Sequence, residues 1–350
     1  MASLRSRPLP LAGPVVNLGS MRHLRLGRTG LSVSRLCLGT MTFGLQCDES
    51  SSRAILDHAA AGGITFLDTS DVYPMGGNLE TVGRTEEIVG RWLEGRRHDF
   101  VLATKCFGAM SARPWDQGLS KKHILEAIDA SLRRLRTDYV DLYQLHHPDP
   151  FTPIDESLRA LDDVVRAGKA RYVGCSNFFA YQVARALGRS ELFGLARLDS
   201  VQPRYNLLFR QVERELFPLC EEEKIGVIPY NPIAGGLLSG KHRREAGPMP
   251  GTRFTHPTAS VRYREVYWRD RELVTIEALR PLAAEAGMSM VQMAVAWVLE
   301  NPVVTAPIVG ASRPEQLDDA LAAVDKRLGH DLKQRLDDLT REYRWGDDIR

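Results

Sequence analysis

"LCLGTMTFGLQCDES", residues 36–50, decides between two folds. It opens a series of eight short apolar runs that alternate with amphipathic stretches, the pattern of a parallel sheet covered by helices on both faces. A doubly wound open sheet and a closed barrel both fit that pattern. The open sheet needs GxGxxG after its first strand, followed by a helix, and residues 36–50 do not supply it. Eight is the number of strands that closes a barrel, and about 250 residues is typical for one. The span from Cys37 to about residue 325 fits, with room for insertions. The reading is an α/β fold, a single (β/α)8 TIM barrel over residues 21–350 with an N-terminal β-hairpin and a C-terminal helical tail.

The runs are "RLCLG" (35–39), "ITFLD" (64–68), "FVLATK" (100–105), "YVDLYQLH" (139–146), "ARYVGCS" (170–176), "DSVQP" (199–203), "IGVIPYN" (225–231) and "VVTAPIVG" (303–310). Before them, "RHLRLG" and "LSVSRL" flank Gly27-Arg28-Thr29-Gly30 and read as the hairpin. Helical spacing is clear in residues 120–136, and in 153–169, where Gly168 reads as the C-cap. Two connections are long, residues 106–120 and Gly235 to about Trp268. Long loops on one face of a barrel shape a substrate pocket.

Composition narrows the class. With 43% hydrophobic and 26% charged residues and a net charge of +2, the chain reads as soluble, with no electrostatic footprint for nucleic acid and no membrane partner. Five dispersed cysteines without a CxxC pair argue against a disulfide framework and a zinc site, and for a reducing cytoplasm. Residues 1–20 lack Asp and Glu and carry arginines, serines and prolines. They read as a disordered extension or an upstream start, with a transit peptide as the alternative.

In a barrel, functional side chains sit where strands end at the top. Those ends carry Asp68, Lys105, His146, Ser176 with Asn177, Gln202, Tyr230 and the Gly310–Arg313 turn. Singly, each has a structural explanation: Asp68 as a turn former, Tyr73 as a loop aromatic, His146 as a strand cap. A lysine emerging from a buried strand needs an anionic partner, which Asp68 on the neighbouring strand offers. Together Asp68, Tyr73, Lys105 and His146 point to carbonyl reduction. The carbonyl oxygen needs a proton as hydride arrives. Lys105 beside the phenol is expected to lower the pKa of Tyr73, Asp68 to hold the lysine, and His146 to donate to the same oxygen. His147 is expected to point the other way, and Thr69, Ser70 and Asp71 to shape the turn, with a pocket-lining role open for Asp71. No metal-ligand spacing occurs.

A nicotinamide nucleotide suits the rest of the rim. Ser176, Asn177 and Gln202 match a carboxamide, and Tyr230 offers a flat face to the ring. The loop "PIAGGLLSGK" (232–241), with Pro232, Gly235, Leu237 and Lys241, brings backbone N–H groups toward a pyrophosphate. Thr40 and Arg253 join this cofactor set. "GASRPEQL" (310–317) reads as the start of a helix, with Gly310, Ser312 and Arg313 at an anion site for a 2′-phosphate, hence NADPH over NADH.

"FLDTSDVY", "VLATK", "DLYQLHHPD", "RYVGCSNF", "VQPRYN", "GVIPYNPIAGGLLSGK" and "PIVGASRPEQLDDAL", in that order, resemble the aldo-keto reductase superfamily from about Met21 to residue 325. The resemblance is strongest to bacterial reductases and potassium-channel β-subunits. It implies a barrel closed below by the hairpin and an NADPH-dependent reductase of a small-molecule aldehyde or ketone. Tyr73 would be the acid, tuned by Lys105 and Asp68, and His146 would orient the carbonyl. Ala320 stands where relatives often carry an adenine-contacting Asn, leaving that contact to Gln316 and Asp319. Two rival functions remain. One is a cofactor-binding regulatory subunit. The other is a reductase of keto-sugar or sugar-nucleotide intermediates in specialised metabolism, which predicts a basic mouth; Arg113, Arg253 and Arg262 in the two long loops are compatible with one and equally with solvated surface.

Overall fold

A computed structural model of the chain describes residues 21–257 and 260–346, without the side chain of residue 262. The expected extension at residues 1–20 lies outside the described residues. A hairpin comes first, β1 (His23–Arg25) antiparallel to β2 (Ser32–Ser34). Eight parallel strands follow: β3 (Cys37–Gly39), β4 (Phe66–Asp68), β5 (Val101–Cys106), β6 (Val140–Leu145), β7 (Ala170–Ser176), β8 (Leu198–Gln202), β9 (Gly226–Val227) and β10 (Ile308–Val309). Each coincides with one of the eight apolar runs, with β5 and β8 extending one residue beyond theirs. The sheet runs β10-β3-β4-β5-β6-β7-β8-β9, and parallel bridges Val227–Val304 and Tyr230–Ile308 join its ends. Ile308 N–H donates to the Pro229 carbonyl at 2.8 Å across that seam. The chain is therefore a (β/α)8 barrel.

Strand alternation sorts the side chains. One parity packs inside the barrel: Cys37, Phe66, Ala103, Leu142, Ile228, Ala306 and Ile308 form a cluster with Leu26 and Val33 of the hairpin, which plugs the bottom. The other parity (Leu38, Leu67, Leu102, Tyr143, Val173, Val201) packs outward against the helices. Helix Lys121–Leu135 shows why those helices form. Ser120 caps it by accepting from His123 N–H, and Ile124, Ile128, Leu132 and Leu135 bury one face.

Three local expectations change. The helix Ile154–Arg166 is capped by Ala167, and Gly168, at φ +72°, is the left-handed residue beyond. The loop after β9 is not wholly irregular: it holds a 3₁₀ segment, Ala234–Ser239, and a helix, Ser260–Tyr267. The segment after Gly310 begins as a 3₁₀ turn, Pro314–Leu317, and becomes α-helical only at Asp318. All five cysteines are free and buried, and among the described residues no single helix is long and apolar enough to cross a membrane.

At the bottom, buried Arg35 precedes β3 and ties the barrel to the helix that comes before β10. Its guanidinium donates to the Val304 and Thr305 carbonyls at 2.6 and 2.5 Å, and to that of Leu299 at the end of helix Met290–Leu299. Burial pushes its pKa down to about 10, helped by Arg22 and Arg327.

Candidate active site

The inner parity continues upward from the apolar plug into polar residues. Two positions above Phe66 is Asp68, two above Ala103 is Lys105, and above Leu142 come Gln144 and His146. Gln202 pairs in register with Ser176, and Tyr230 and Gly310 stand two above Ile228 and Ile308. The strands thus bring Asp68, His146, Ser176, Gln202, Tyr230 and Gly310 to one cavity of about 110 Å3 at the top, which Tyr73 and Thr40 also line, while Lys105 and Gln144 lie buried and do not line it.

Asp68 and Lys105 form a fully enclosed ion pair, Nζ to Oδ2 2.6 Å. Lys105 also donates to the Thr69 carbonyl at 2.7 Å and to the Tyr73 hydroxyl at 3.5 Å. Burial disfavours the charged lysine, but Asp68 and Tyr73 outweigh it and leave its pKa raised. The second carboxylate oxygen of Asp68 accepts from the amides of Gln202 at 2.8 Å and Gln144 at 3.2 Å. A buried charge needs such saturation. Gln144 is a member of this site beyond those expected from the sequence, where its only signal is a polar residue of inner parity two before His146. Gln202 is the residue expected at a carboxamide, and the structure places its amide nitrogen on Asp68.

The expected lowering of the Tyr73 pKa is reversed. Burial raises it, and Lys105 offsets only part of that rise. The phenol is thereby held in its protonated form. His146 faces Tyr73 edge-on at 5.8 Å between ring centroids, and its Nδ1 lies 3.1 Å from Ser70 Oγ. Ser70, expected only to shape a turn, is therefore a partner of the histidine. His147 does not point away: its ring stacks on His146 at 5.1 Å and lines the same cavity. β6 ends at Leu145, so strand alternation no longer governs it.

The residues expected to hold a cofactor fall into two groups. Thr40, Ser176, Asn177, Gln202, Tyr230, Arg253 and Gly310 line the cavity at the top of the barrel. Asn177 is fixed at left-handed φ +64°, donating to the His146 carbonyl and accepting from the Tyr230 hydroxyl at 2.8 Å. Tyr230 is thus held with its ring against the pocket. Pro232, Gly235 and Leu237 lie buried in the 3₁₀ loop leading to Lys241. Lys241 has its pKa lowered by burial and by the charges of Arg313 and Arg253. This convergence of cations gives a donor set suited to phosphates. Ser312, Arg313 and Gln316 are exposed beside it. Gln316 accepts from Ser312 N–H at 2.9 Å, and Asp319 accepts from Gln292, so both expected adenine contacts have internal partners.

The aldo/keto reductase family model matches residues 35–341. This chain belongs to that family. It is 39% identical over 326 residues to the uncharacterized oxidoreductase YrpG of Bacillus subtilis, covering 91% of this chain and 96% of that one. It is also 39% identical over 313 residues to a probable voltage-gated potassium channel subunit beta of Arabidopsis thaliana, covering 87% and 92%. A versiconal hemiacetal acetate reductase of Aspergillus parasiticus is 34% identical over 344 residues, covering 91% and 96%. In this aldo/keto reductase Asp68, Lys105, Tyr73 and His146 are gathered at the top of the barrel.

A second chamber of about 640 Å3 adjoins the first, sharing Met75, Asn177, Tyr230, Asn231 and Tyr263 with it. Phe178, Phe179, Tyr181, Phe209 and Tyr267 give it an aromatic wall. None of Arg113, Arg253 and Arg262 lines it as a described side chain: Arg113 is exposed on its own loop, Arg253 faces the inner cavity, and the side chain of Arg262 is outside the described residues.

Proposed function

We propose that this protein is a cytoplasmic NADPH-dependent reductase of aldehydes or ketones, with Tyr73 as general acid. The observation that carries the reading is a half-buried phenol, 3.5 Å from a lysine clamped by a carboxylate, opening on a cavity across from a histidine. NADPH, when bound, supplies the hydride. Tyr230, Ser176 and Asn177 would hold its nicotinamide, and Lys241, Arg253 and Arg313 its phosphates.

The chain's own residues handle the proton. Tyr73 breaks its O–H bond and protonates the carbonyl oxygen as negative charge builds there. The phenolate left behind is stabilised by Lys105, whose charge Asp68 sustains. His146 donates to the same oxygen and fixes the carbonyl's direction. A phenol kept protonated by burial suits this role, because the alkoxide it protonates is a far stronger base.

The aromatic chamber supports a carbonyl compound with a bulky apolar body over a sugar nucleotide, for which the basic mouth gives no support. Its Arg204 and Arg214 lie over the rings of Phe209 and Trp345 at 3.5 and 4.2 Å. The potassium-channel relative favours a second reading, a regulatory subunit in which turnover is secondary. The complete Tyr73–Lys105–Asp68–His146 group favours the enzyme.

NADPH consumption over a panel of aldehydes, ketones, α-dicarbonyls and keto sugars tests both. Tyr73→Phe should lose about 10²–10⁴-fold in kcat while still binding NADPH. Full activity in that variant would remove Tyr73 as the acid. Negligible turnover of every carbonyl, together with co-purification of a membrane partner, would favour the regulatory reading. Arg313→Ala should weaken NADPH far more than NADH, and an equal loss would remove the 2′-phosphate assignment.

A further inference from the structure

His146 can donate to a carbonyl only if the nitrogen facing it carries hydrogen, and a neutral imidazole has a single N–H. Nδ1 is turned to Ser70 Oγ at 3.1 Å and His146 lines the cavity, so Nε2 is the nitrogen that would meet the carbonyl. Which nitrogen holds the hydrogen therefore depends on whether Ser70 gives or takes at Nδ1. Ser70 Oγ also lies 3.2 Å from Asp71 Oδ1 and 3.4 Å from the Lys105 carbonyl oxygen. Ser70 and Asp71 are fully buried, and Asp71 Oδ2 has no hydrogen-bond partner among the described residues. Asp71, Ser70 and His146 thus form a chain that ends in the catalytic cavity.

Two proton arrangements satisfy the chain. With Asp71 ionised, Oδ1 can only accept, so Ser70 directs its hydrogen to the carboxylate or to the Lys105 carbonyl and accepts from Nδ1–H. Nε2 is then bare, with its lone pair against that of the substrate oxygen. With Asp71 protonated, its O–H donates to Ser70 Oγ, Ser70 donates to Nδ1, and the ring hydrogen sits on Nε2. Passing from the second state to the first releases one proton. It leaves from Nε2, the Ser70 hydrogen moves to Nδ1, and that of Asp71 moves to Ser70.

The surroundings favour the acid form. Glu86 faces Asp71 from helix Arg84–Leu93, Arg134 from helix Lys121–Leu135, Cys106 and the Lys105 carbonyl from β5, and Tyr143 from β6, with His146 beyond Ser70. Arg134 is already committed to Glu86 at 2.7 Å, and Glu86 accepts from Thr104 at 2.5 Å. Burial first, and the Glu86 charge second, push Asp71 up to about 8 against the opposing pull of Arg134, Ser70 and the Val72 N–H. A neutral carboxyl also leaves its unpartnered oxygen uncharged, which costs far less than a buried ionised one.

We propose that Asp71 in its acid form, acting through Ser70, holds His146 with its hydrogen on Nε2 and is thereby a positioning residue for the carbonyl. The inference rests on the carbonyl-reductase reading. Its first test is the pH profile of kcat/KM for reduction of the best aldehyde. The wild type should fall above about pH 8 as Asp71 ionises, while burial holds the Tyr73 phenol protonated. In Asp71→Asn the carboxamide donates to Ser70 at every pH, so that alkaline limb should vanish. Ser70→Ala cuts the chain and should lower kcat/KM about tenfold at neutral pH. The second test needs no turnover. Nitrogen-15 NMR of His146, assigned with His146→Gln, should show hydrogen on Nε2 near neutral pH and its transfer to Nδ1 above about pH 8. In Ser70→Ala that transfer should be lost. An unchanged alkaline limb in Asp71→Asn, or hydrogen on Nδ1 at neutral pH in the wild type, overturns the proposal. A protein that reduces no carbonyl yet shows the tautomer step would sink the reductase reading and leave the Asp71–Ser70–His146 coupling standing.

Discussion

Asp68 is the residue on which the others depend, because it receives three side-chain hydrogen bonds on its two oxygens. Removing one donor leaves a buried carboxylate short of partners. Gln144→Met, which keeps the volume and loses the amide, should cost about 1–3 kcal/mol of stability, read as a lower denaturant midpoint at unchanged m-value. It should reduce kcat by less than Tyr73→Phe does. The residues legible in the sequence were a strand-end lysine that needs a buried anionic partner, and an acid and a histidine whose meaning comes from ending strands beside it. Gln144 and Ser70 escaped because neutral polar residues belong equally well to a strand or a turn, and their role depends on which neighbour folding places beside them. The pKa of Tyr73 was misjudged for a related reason. Lys105 was foreseeable as its neighbour, but the degree of burial that outweighs the lysine is a property of the packed fold.

At the scale of elements, the strands were legible because period-2 alternation marks both their presence and their inner face. The loop after β9 was not, since its helix Ser260–Tyr267 carries no strong apolar stripe. What organises this loop is aromatic contact: Phe254 meets Tyr263, Trp268 and His242 with ring centroids 5.0–6.2 Å apart. Gly235 is where the 3₁₀ segment passes beneath that group. It adopts φ +67°, and a Cβ there would lie 2.6 Å from the Tyr263 ring. Gly235→Ala should therefore push Tyr263 and the Lys241 approach out of place. We expect NADPH affinity, measured by quenching of intrinsic fluorescence, to fall about tenfold or more, from strain of about 1–2 kcal/mol. Wild-type affinity in that variant would show that the loop does not carry the phosphates.

For the whole molecule, the number and order of strands followed from the eight runs, whereas the way the barrel is locked did not. Arg35 heads the run "RLCLG", where nothing in the sequence singles it out, yet it is buried and satisfies three carbonyls from helix Met290–Leu299 and the segment before β10. Arg35→Ala orphans those carbonyls and opens a cavity, so a loss of about 2–4 kcal/mol is expected. The melting temperature should drop while kcat, measured well below it, stays near wild type, because the arginine lies at the end of the barrel opposite Tyr73. Closure also has a bearing on synthesis. The bond from Gln202 to Asp68 spans 134 residues of chain, and β10 must return to pair Ile308 with Cys37 before the rim is complete. The cavity draws its lining from Gly39 to Gly310, so a chain leaving the ribosome has only part of the site until its last strand is home.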